Sequence, residues 1–242
     1  MNSLRRRAGH GRLGSLQFIF VAEGMNRETI TARRLSSDIG KEAKDWHAVY
    51  DLCCRTGNNG APIAPDRRDF FARLWIEPYE KIFPQWTYVG EVKSTLAGYL
   101  TGCPDTGAFA QAKFWRFSLP LLTDIFQGRY SGNQDAQKFV RQFFRFENTP
   151  EQAFPRGLHR MLQHDYPAHL HMNVAAGWRG SGVGTMLVEK FLSDLRNAGI
   201  SAVHLYCGAD PLAFYHHRGF NELARVIFHG APVYALGARL QN

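Results

Sequence analysis

The sequence predicts an α/β fold of the α+β type, in which one sheet is flanked by helices. The last third of the chain alternates strand, glycine-rich loop, helix, strand, helix and strand, and residues 87–102 add a strand–turn–strand pattern. With 45% hydrophobic and 21% charged residues, the 242-residue chain has the composition of a globular protein with a sizeable core. No internal repeat or low-complexity linker divides it, so we expect a single domain over residues 30–242.

The elements of the first hundred residues follow from the spacing of apolar residues and from the glycines and prolines between them. We predict a strand at Ile30–Ser37, a helix at Lys44–Gly57, a helix at Asp69–Phe83 that breaks at Pro78, and hairpin strands at Thr87–Val92 and Leu96–Gly102. The stretch at 58–68 is rich in Asn, Gly and Pro, which is typical of a loop.

Residues 1–29 form a basic leader, which we expect to be poorly structured. Four arginines precede Glu23, the first acidic residue, and carry much of the net charge of +8. Because the remaining charge is spread along the chain, a nucleic-acid partner is not favoured, and no apolar run is long enough for a membrane partner. The four cysteines match neither a metal site nor a disulfide framework. We therefore expect reduced thiols, no metal and a cytoplasmic protein.

Residues 105–166 read as a helical insert, dense in aromatic residues, between the third and fourth predicted strands. One predicted helix in it places four apolar side chains on one face and three basic ones opposite: Phe139, Val140, Phe143 and Phe144 against Lys138, Arg141 and Arg145. Two roles are open for the insert. It is either a cover for one end of the sheet, or a lid or wall of the acceptor site.

The C-terminal third begins with a strand at Ala168–Val174, whose alternation separates two sets of side chains. Leu170, Met172 and Val174 face one way, and His169, His171 and Asn173 face the other. A glycine loop, a helix ending at Gly199, a strand at Ala202–Cys207, a helix capped by Asp210 and two closing strands follow.

The loop between the Ala168–Val174 strand and its helix has the composition of an anion site. The unpaired amides at a helix start carry partial positive charge, and an anion can approach them closely where the loop is glycine. Gly180, Gly182 and Gly184 supply that access, Arg179 adds a cation, and Ser181 and Thr185 add hydroxyl donors.

Two common phosphate loops do not fit this stretch. A P-loop requires a lysine where Val183 stands, and a dinucleotide-binding loop requires a third glycine where Leu187 or Thr185 stands. The alternative without a ligand is that the glycines only allow the helix and strand to pack closely.

The pattern Arg-x-x-Gly-x-Gly, formed by Arg179, Gly182 and Gly184, resembles the GCN5-related N-acetyltransferase (GNAT) family, as does "AFYHHRGF" at Ala213–Phe220. The resemblance implies a mixed, mostly antiparallel sheet and acetyl-CoA as co-substrate. The acetyl-CoA-binding residues that it implies are Asn173, Val174, Ala175, Ala176, Arg179, Gly180, Ser181, Gly182, Val183, Gly184, Thr185, Phe214 and Tyr215. Within that family, the sequence resembles the acetyltransferase-like domain associated with O-GlcNAcase and its stand-alone bacterial relatives.

The resemblance also implies how acetyl transfer would proceed. The backbone amide near Val174 would stabilise the oxyanion, and Tyr215 would protonate the departing thiolate as general acid. Asn173 stands where the O-GlcNAcase-associated relatives carry an aspartate, and an asparagine cannot accept a proton from the amine. His171 is the first candidate for the base, with His169, Glu91 and Asp105 as further candidates.

The leading interpretation is an N-acetyltransferase that acts on a primary amine of a protein lysine or a small molecule. The alternative is an acetyl-CoA-binding protein with little transfer activity, used for sensing or scaffolding, and Asn173 is the feature that favours it. A homodimer is compatible with either interpretation.

Overall fold

The computed structural model describes residues 15–17, 29–35, 39–57 and 60–240. The strands in these ranges are β1 (Ser15–Gln17), β2 (Ile30–Arg34), β3 (Thr87–Val92), β4 (Thr95–Cys103), β5 (Ala168–Val174), β6 (Ala202–Cys207), β7 (Asn221–Phe228) and β8 (Ala231–Arg239). They form one sheet in the order β1-β2-β3-β4-β5-β6-β8-β7, and only the β5–β6 pair is parallel. The predicted mixed, mostly antiparallel sheet is confirmed.

Helices cover both faces of this sheet. They are α1 (Ile39–Thr56), α2 (Arg68–Ile82), α3 (Thr106–Lys113), α4 (Leu119–Phe126), α5 (Gln134–Phe143), α6 (Arg156–Asp165), α7 (Val183–Asn197) and α8 (Leu212–His216). The α7 face of the sheet packs through Leu187 and Phe191, whereas the opposite face packs against α1 and α2 through Leu52 and Ile76. Burial of these apolar faces is the main source of stability for such a two-layer arrangement.

Helix α2 runs through Pro78, so the predicted break at this proline is wrong. A proline inside a helix removes one backbone hydrogen bond and costs about 3 kcal/mol. Here the cost is offset, because Pro78 is itself buried and the same helix buries Phe70, Ala72 and Ile76.

The hairpin of β3 and β4 is tighter than the sequence indicates. Only Lys93 and Ser94 separate the strands, with φ values of 49° and 63°. Positive φ at both residues is the requirement of a type I′ turn, whose twist matches that of the strands. The hairpin fixes the register of β4 against β3.

The helical insert lies where the sequence places it, between β4 and β5. Phe70 of α2 packs against its Phe117, Leu121 and Phe139, so the insert is anchored to α2 by an aromatic cluster. Phe139, Val140 and Phe143 pack inward as predicted. The prediction for Phe144 is wrong, because α5 ends at Phe143 and the Phe144 side chain is 50% exposed.

Most of the basic leader lies outside the described residues. Of residues 1–29, the structure describes residue 29 and strand β1, which pairs antiparallel with β2. Within the described ranges no helix combines the length and the apolarity that a membrane crossing requires. The same ranges contain no group of three or more His, Cys, Asp or Glu side chains that could hold a metal ion.

Candidate active site

The site forms where strands β5 and β6 separate. Strand β5 pairs with β4 along its whole length, from His169 opposite Cys103 to Val174 opposite Gly98. Its pairing with β6 is limited to Ala168 and His169. Beyond His169 the two strands diverge, and a gap opens in the middle of the sheet.

The edge of β5 that borders this gap has unpaired backbone groups. The Ala175 amide donates to the Ala97 carbonyl at 2.8 Å. This bond shows which residues of β5 direct their backbone amides and carbonyls toward β4. Because antiparallel pairing alternates, the amides and carbonyls of Met172 and Val174 point the other way, into the gap. An extended ligand can therefore pair with β5 here as an added strand would.

Helix α7 begins at one end of the gap with free amides. Its N-cap is Gly182, with a φ of 100°, and no side chain accepts a hydrogen bond from the first turn. Gly180 also has a positive φ, of 78°. Both glycines are needed for a backbone that L-residues adopt only with strain, and the turn they form leads into the uncapped start of α7.

Gly184 lies where α7 packs closely on its neighbours. A Cβ atom at this position would lie 3.3 Å from the Phe214 ring and 3.4 Å from the Met172 side chain. The glycine therefore allows α7 to pack on β5 and α8, which is the alternative without a ligand that the sequence left open for the loop glycines. Val183 is also buried in the core, so its amide, not its side chain, is available at the site.

The remaining loop residues take different parts. Ala175 and the exposed Ala176 lead into the short 3-10 turn Ala176–Trp178, and the Ser181 hydroxyl donates to the Trp178 carbonyl at 2.6 Å. Ser181 thus holds the turn closed. Arg179 is exposed, donates from Nε to the Val174 carbonyl at 3.4 Å, and makes no ion pair within the described part of the chain.

Arg218 is a second cation at the start of α7, and the sequence reasoning missed it. Its guanidinium donates to the Thr185 hydroxyl and to the Phe214 carbonyl, the latter at 2.7 Å, and lies 3.6 Å from the centre of the Phe214 ring. Burial lowers its pKa, and its Nε is buried without a partner among the described residues. The signal was its place inside "AFYHHRGF", three residues after Tyr215.

Helix α8 carries Tyr215, the proposed general acid. The helix begins after Pro211, and no side chain caps it, so the predicted Asp210 cap is wrong. Asp210 instead lies in the turn closed by the Leu212 amide and the Ala209 carbonyl. The Tyr215 ring packs edge-on against Phe214 and Phe220, and its hydroxyl has no hydrogen-bond partner among the described residues. Burial, and then the nearby Cys207 thiol, raise the pKa of this phenol, which stays protonated at neutral pH.

Asn173 lies in a polar chain on the opposite face of β5. Its Nδ2 donates to the Tyr99 hydroxyl at 2.9 Å and lies 3.4 Å from the Nε2 atom of His171. The His171 ring stacks on Trp75 of α2, and burial lowers the pKa of His171 to about 4. His171 is therefore neutral at pH 7 and a weak base, and Trp75 is a neighbour that no sequence motif indicated.

The structure places the other candidate bases in structural roles. His169 contacts the Tyr79 hydroxyl at 3.0 Å, and burial lowers the pKa of His169 to about 3. Glu91 accepts a hydrogen bond from Arg33 at 2.7 Å, and Asp105 caps helix α3 by accepting from the Ala108 amide at 2.9 Å. None of these three side chains hydrogen-bonds to Asn173 or His171.

Several solved structures share this architecture. The chain is 26% identical to the protein SsHAT, with 88% of this chain and 99% of that chain covered and a TM-score of 0.65. At the level of the fold it is similar to Ard1 from Thermoplasma volcanium (15% identity, 88% and 99% covered, TM-score 0.51) and to an N-acetyltransferase from Staphylococcus aureus Mu50 (12% identity, 88% and 99% covered, TM-score 0.51). Residues 151–220, which include β5, the glycine loop, α7 and α8, match the model of the acetyltransferase (GNAT) family.

Proposed function

We propose that this chain is an acetyltransferase of the GNAT type, whose family model matches residues 151–220, and that it transfers acetyl from acetyl-CoA to a primary amine in the gap between β5 and β6. One observation carries the proposal. The unpaired edge of β5 leads directly to the uncapped start of α7, so an extended chain that ends in phosphates has a partner along its whole length.

The phosphates would lie at the start of α7. The amides of Val183, Gly184 and Thr185 are the first donors of that helix, and the helix dipole favours negative charge there. Arg179 in the loop and Arg218 in the turn after α8 would add positive charge there, since Arg218 donates to the Thr185 hydroxyl. Charge-assisted hydrogen bonds of this kind are about twice as strong as neutral ones.

The pantetheine arm would lie along β5, with its amides paired to the backbone of Met172 and to the Val174 amide, because the Val174 carbonyl already accepts a hydrogen bond from Arg179. The Val174 amide would then donate to the oxygen on which charge develops during attack by the amine. Tyr215 holds a proton at its hydroxyl and would give it to the departing sulfur.

Asn173 and His171 would orient the acceptor rather than deprotonate it. An amide side chain does not accept a proton, and a histidine with a pKa near 4 has little affinity for one. The same feature supports the alternative function, an acetyl-CoA-binding protein with little transfer activity. The two functions share one cofactor site and differ only in turnover.

Two measurements test the proposal. Acetyl-CoA at 100 times its Kd should raise the free energy of unfolding by about 2.7 kcal/mol, seen as a higher Tm. Release of free CoA thiol in the presence of a panel of primary amines should then separate the enzyme from the binder. No thermal shift would exclude both functions, and a shift without thiol release would favour the binder.

A further inference from the structure

An exposed tryptophan lies beside the position proposed for transfer. The Trp75 ring is 41% exposed and stacks on His171, with 5.7 Å between ring centres and 24° between planes. His171 in turn contacts the side-chain amide of Asn173. One face of the Trp75 indole is covered by the histidine, and the exposed remainder is an apolar platform beside the gap.

The hydrogen bonds of Asn173 leave one atom for a ligand. Its Nδ2 is used by the Tyr99 hydroxyl and by His171. Its Oδ1 has no partner among the described residues, so it can accept a hydrogen bond from an N–H group. An uncharged amine that donates an N–H to this oxygen still has the lone pair with which it attacks the thioester, whereas an ammonium ion has none.

No carboxylate of the described residues hydrogen-bonds to Asn173 or His171. Glu91 is held by Arg33, and Asp105 is held by the start of α3. The charge of Glu151, on the insert, reaches Tyr79, Tyr206 and Lys113. The described part of the chain therefore offers no carboxylate hydrogen-bonded to Asn173 or His171 that could take a proton from an ammonium ion and hold that ion by charge.

This shortage favours amines that are neutral at the pH of the reaction. An α-amino group, with a pKa of about 8, is roughly a quarter uncharged at pH 7.5. A lysine side chain, with a pKa of about 10.4, is about 0.1% uncharged at that pH, so its reactive fraction is roughly 200-fold smaller. The side group of the acceptor would be bound by contact with the apolar face of Trp75.

We propose that the acceptor is an α-amino compound with an aromatic or large apolar side group, which lies on Trp75 while its amine donates to Asn173 Oδ1. This inference rests on the proposed function, and it names the substrate class of the same site. It places Trp75 in the acceptor-binding surface.

The test compares three acceptors by thiol release at pH 7.5: phenylalanine amide, glycine amide and the ε-amine of an α-blocked lysine amide. We expect kcat/KM to fall in that order, with the lysine derivative at least tenfold below glycine amide. Trp75→Ala should raise the KM for phenylalanine amide about tenfold and remove its advantage over glycine amide. Trp75→Phe, which keeps a ring on His171, should retain most of the advantage and guards against a folding defect.

The matched control is Trp115→Ala, since Trp115 is 63% exposed and has its described ring contact with Phe114 instead of His171. Trp115→Ala should leave kcat/KM unchanged for all three acceptors. Three results would overturn this inference alone. They are an equal kcat/KM for the lysine derivative and glycine amide, an unchanged preference for phenylalanine amide over glycine amide in both Trp75 variants, and a large fall in kcat for Glu151→Gln. If acetyl-CoA binds and none of the amines is acetylated, the proposed function fails as well.

Discussion

Replacing Tyr215 by phenylalanine isolates the proposed acid from the rest of the site. The Tyr215 ring is 5% exposed and makes its ring contacts with Phe214 and Phe220, at 5.1 and 5.5 Å between centres. Phenylalanine keeps this packing. Because the hydroxyl has no hydrogen-bond partner among the described residues, its loss should change the free energy of unfolding by less than about 0.5 kcal/mol.

The effect on turnover should be much larger. General acid catalysis contributes about 10²- to 10⁴-fold to a rate, so kcat of Tyr215→Phe should fall at least 100-fold while the Kd for acetyl-CoA stays the same. Burial raises the pKa of the Tyr215 phenol, so the wild-type rate should not decline through loss of this proton below about pH 10. Thiol-release kinetics give kcat, and calorimetric titration gives the Kd.

A second tyrosine provides the opposite control. The Tyr50 hydroxyl donates to Glu80 at 2.6 Å, between α1 and α2. Tyr50→Phe should lower the free energy of unfolding by about 1 kcal/mol and leave kcat unchanged. An unchanged kcat in Tyr215→Phe would refute its role as the acid. Equal losses of kcat and of acetyl-CoA affinity would instead assign it to binding.

The remaining predictions concern the cations, the loop and the response to pH. Arg179→Ala and Arg218→Met should each raise the Kd for acetyl-CoA about 10- to 100-fold, because each removes a charge-assisted contact at the start of α7. Calorimetric titration measures this Kd, and an unchanged value in either variant would exclude that residue from the phosphate site. Gly182→Ala should cost about 1 to 2 kcal/mol in urea unfolding because of the strain of a side chain at a φ of 100°, whereas Gly177→Ala, where a Cβ has no atom within 4 Å, should cost less than about 0.5 kcal/mol. The pKa of His169 is about 6.5 in the unfolded chain and about 3 in the folded protein. As the pH falls, the unfolded state therefore binds a proton first, and the free energy of unfolding decreases below about pH 6.5. From pH 7 to pH 5 this residue should remove about 2 kcal/mol from the free energy of unfolding, and His169→Gln should lose correspondingly less over that range.

Three sequence-based interpretations remain predictions. The closer resemblance to the domain associated with O-GlcNAcase is finer than the family match, and the roles of the named site residues await the variants above. The division into a leader and a domain from residue 30 is also untested, although strand β1 lies within the leader.

The sequence by itself determined the elements that depend on local signals. Alternation along Ala168–Val174 predicted that strand, and the glycine cluster predicted the turn into α7, because side-chain periodicity and positive φ are local properties of the chain. The loop and the Ala213–Phe220 motif also carried the resemblance to the GNAT family, and that resemblance implied acetyl-CoA.

The tertiary structure decided what depends on contacts between distant segments. Trp75 meets His171, Arg218 meets Thr185, and Glu91 is held by Arg33, through pairings that no short motif records. The same holds for the candidate base. From the sequence alone, His171 would be expected to have the ordinary histidine pKa of about 6.5. Burial between the sheet and α2 lowers the pKa of His171 to about 4, because a surrounding of low dielectric constant disfavours the charged ring.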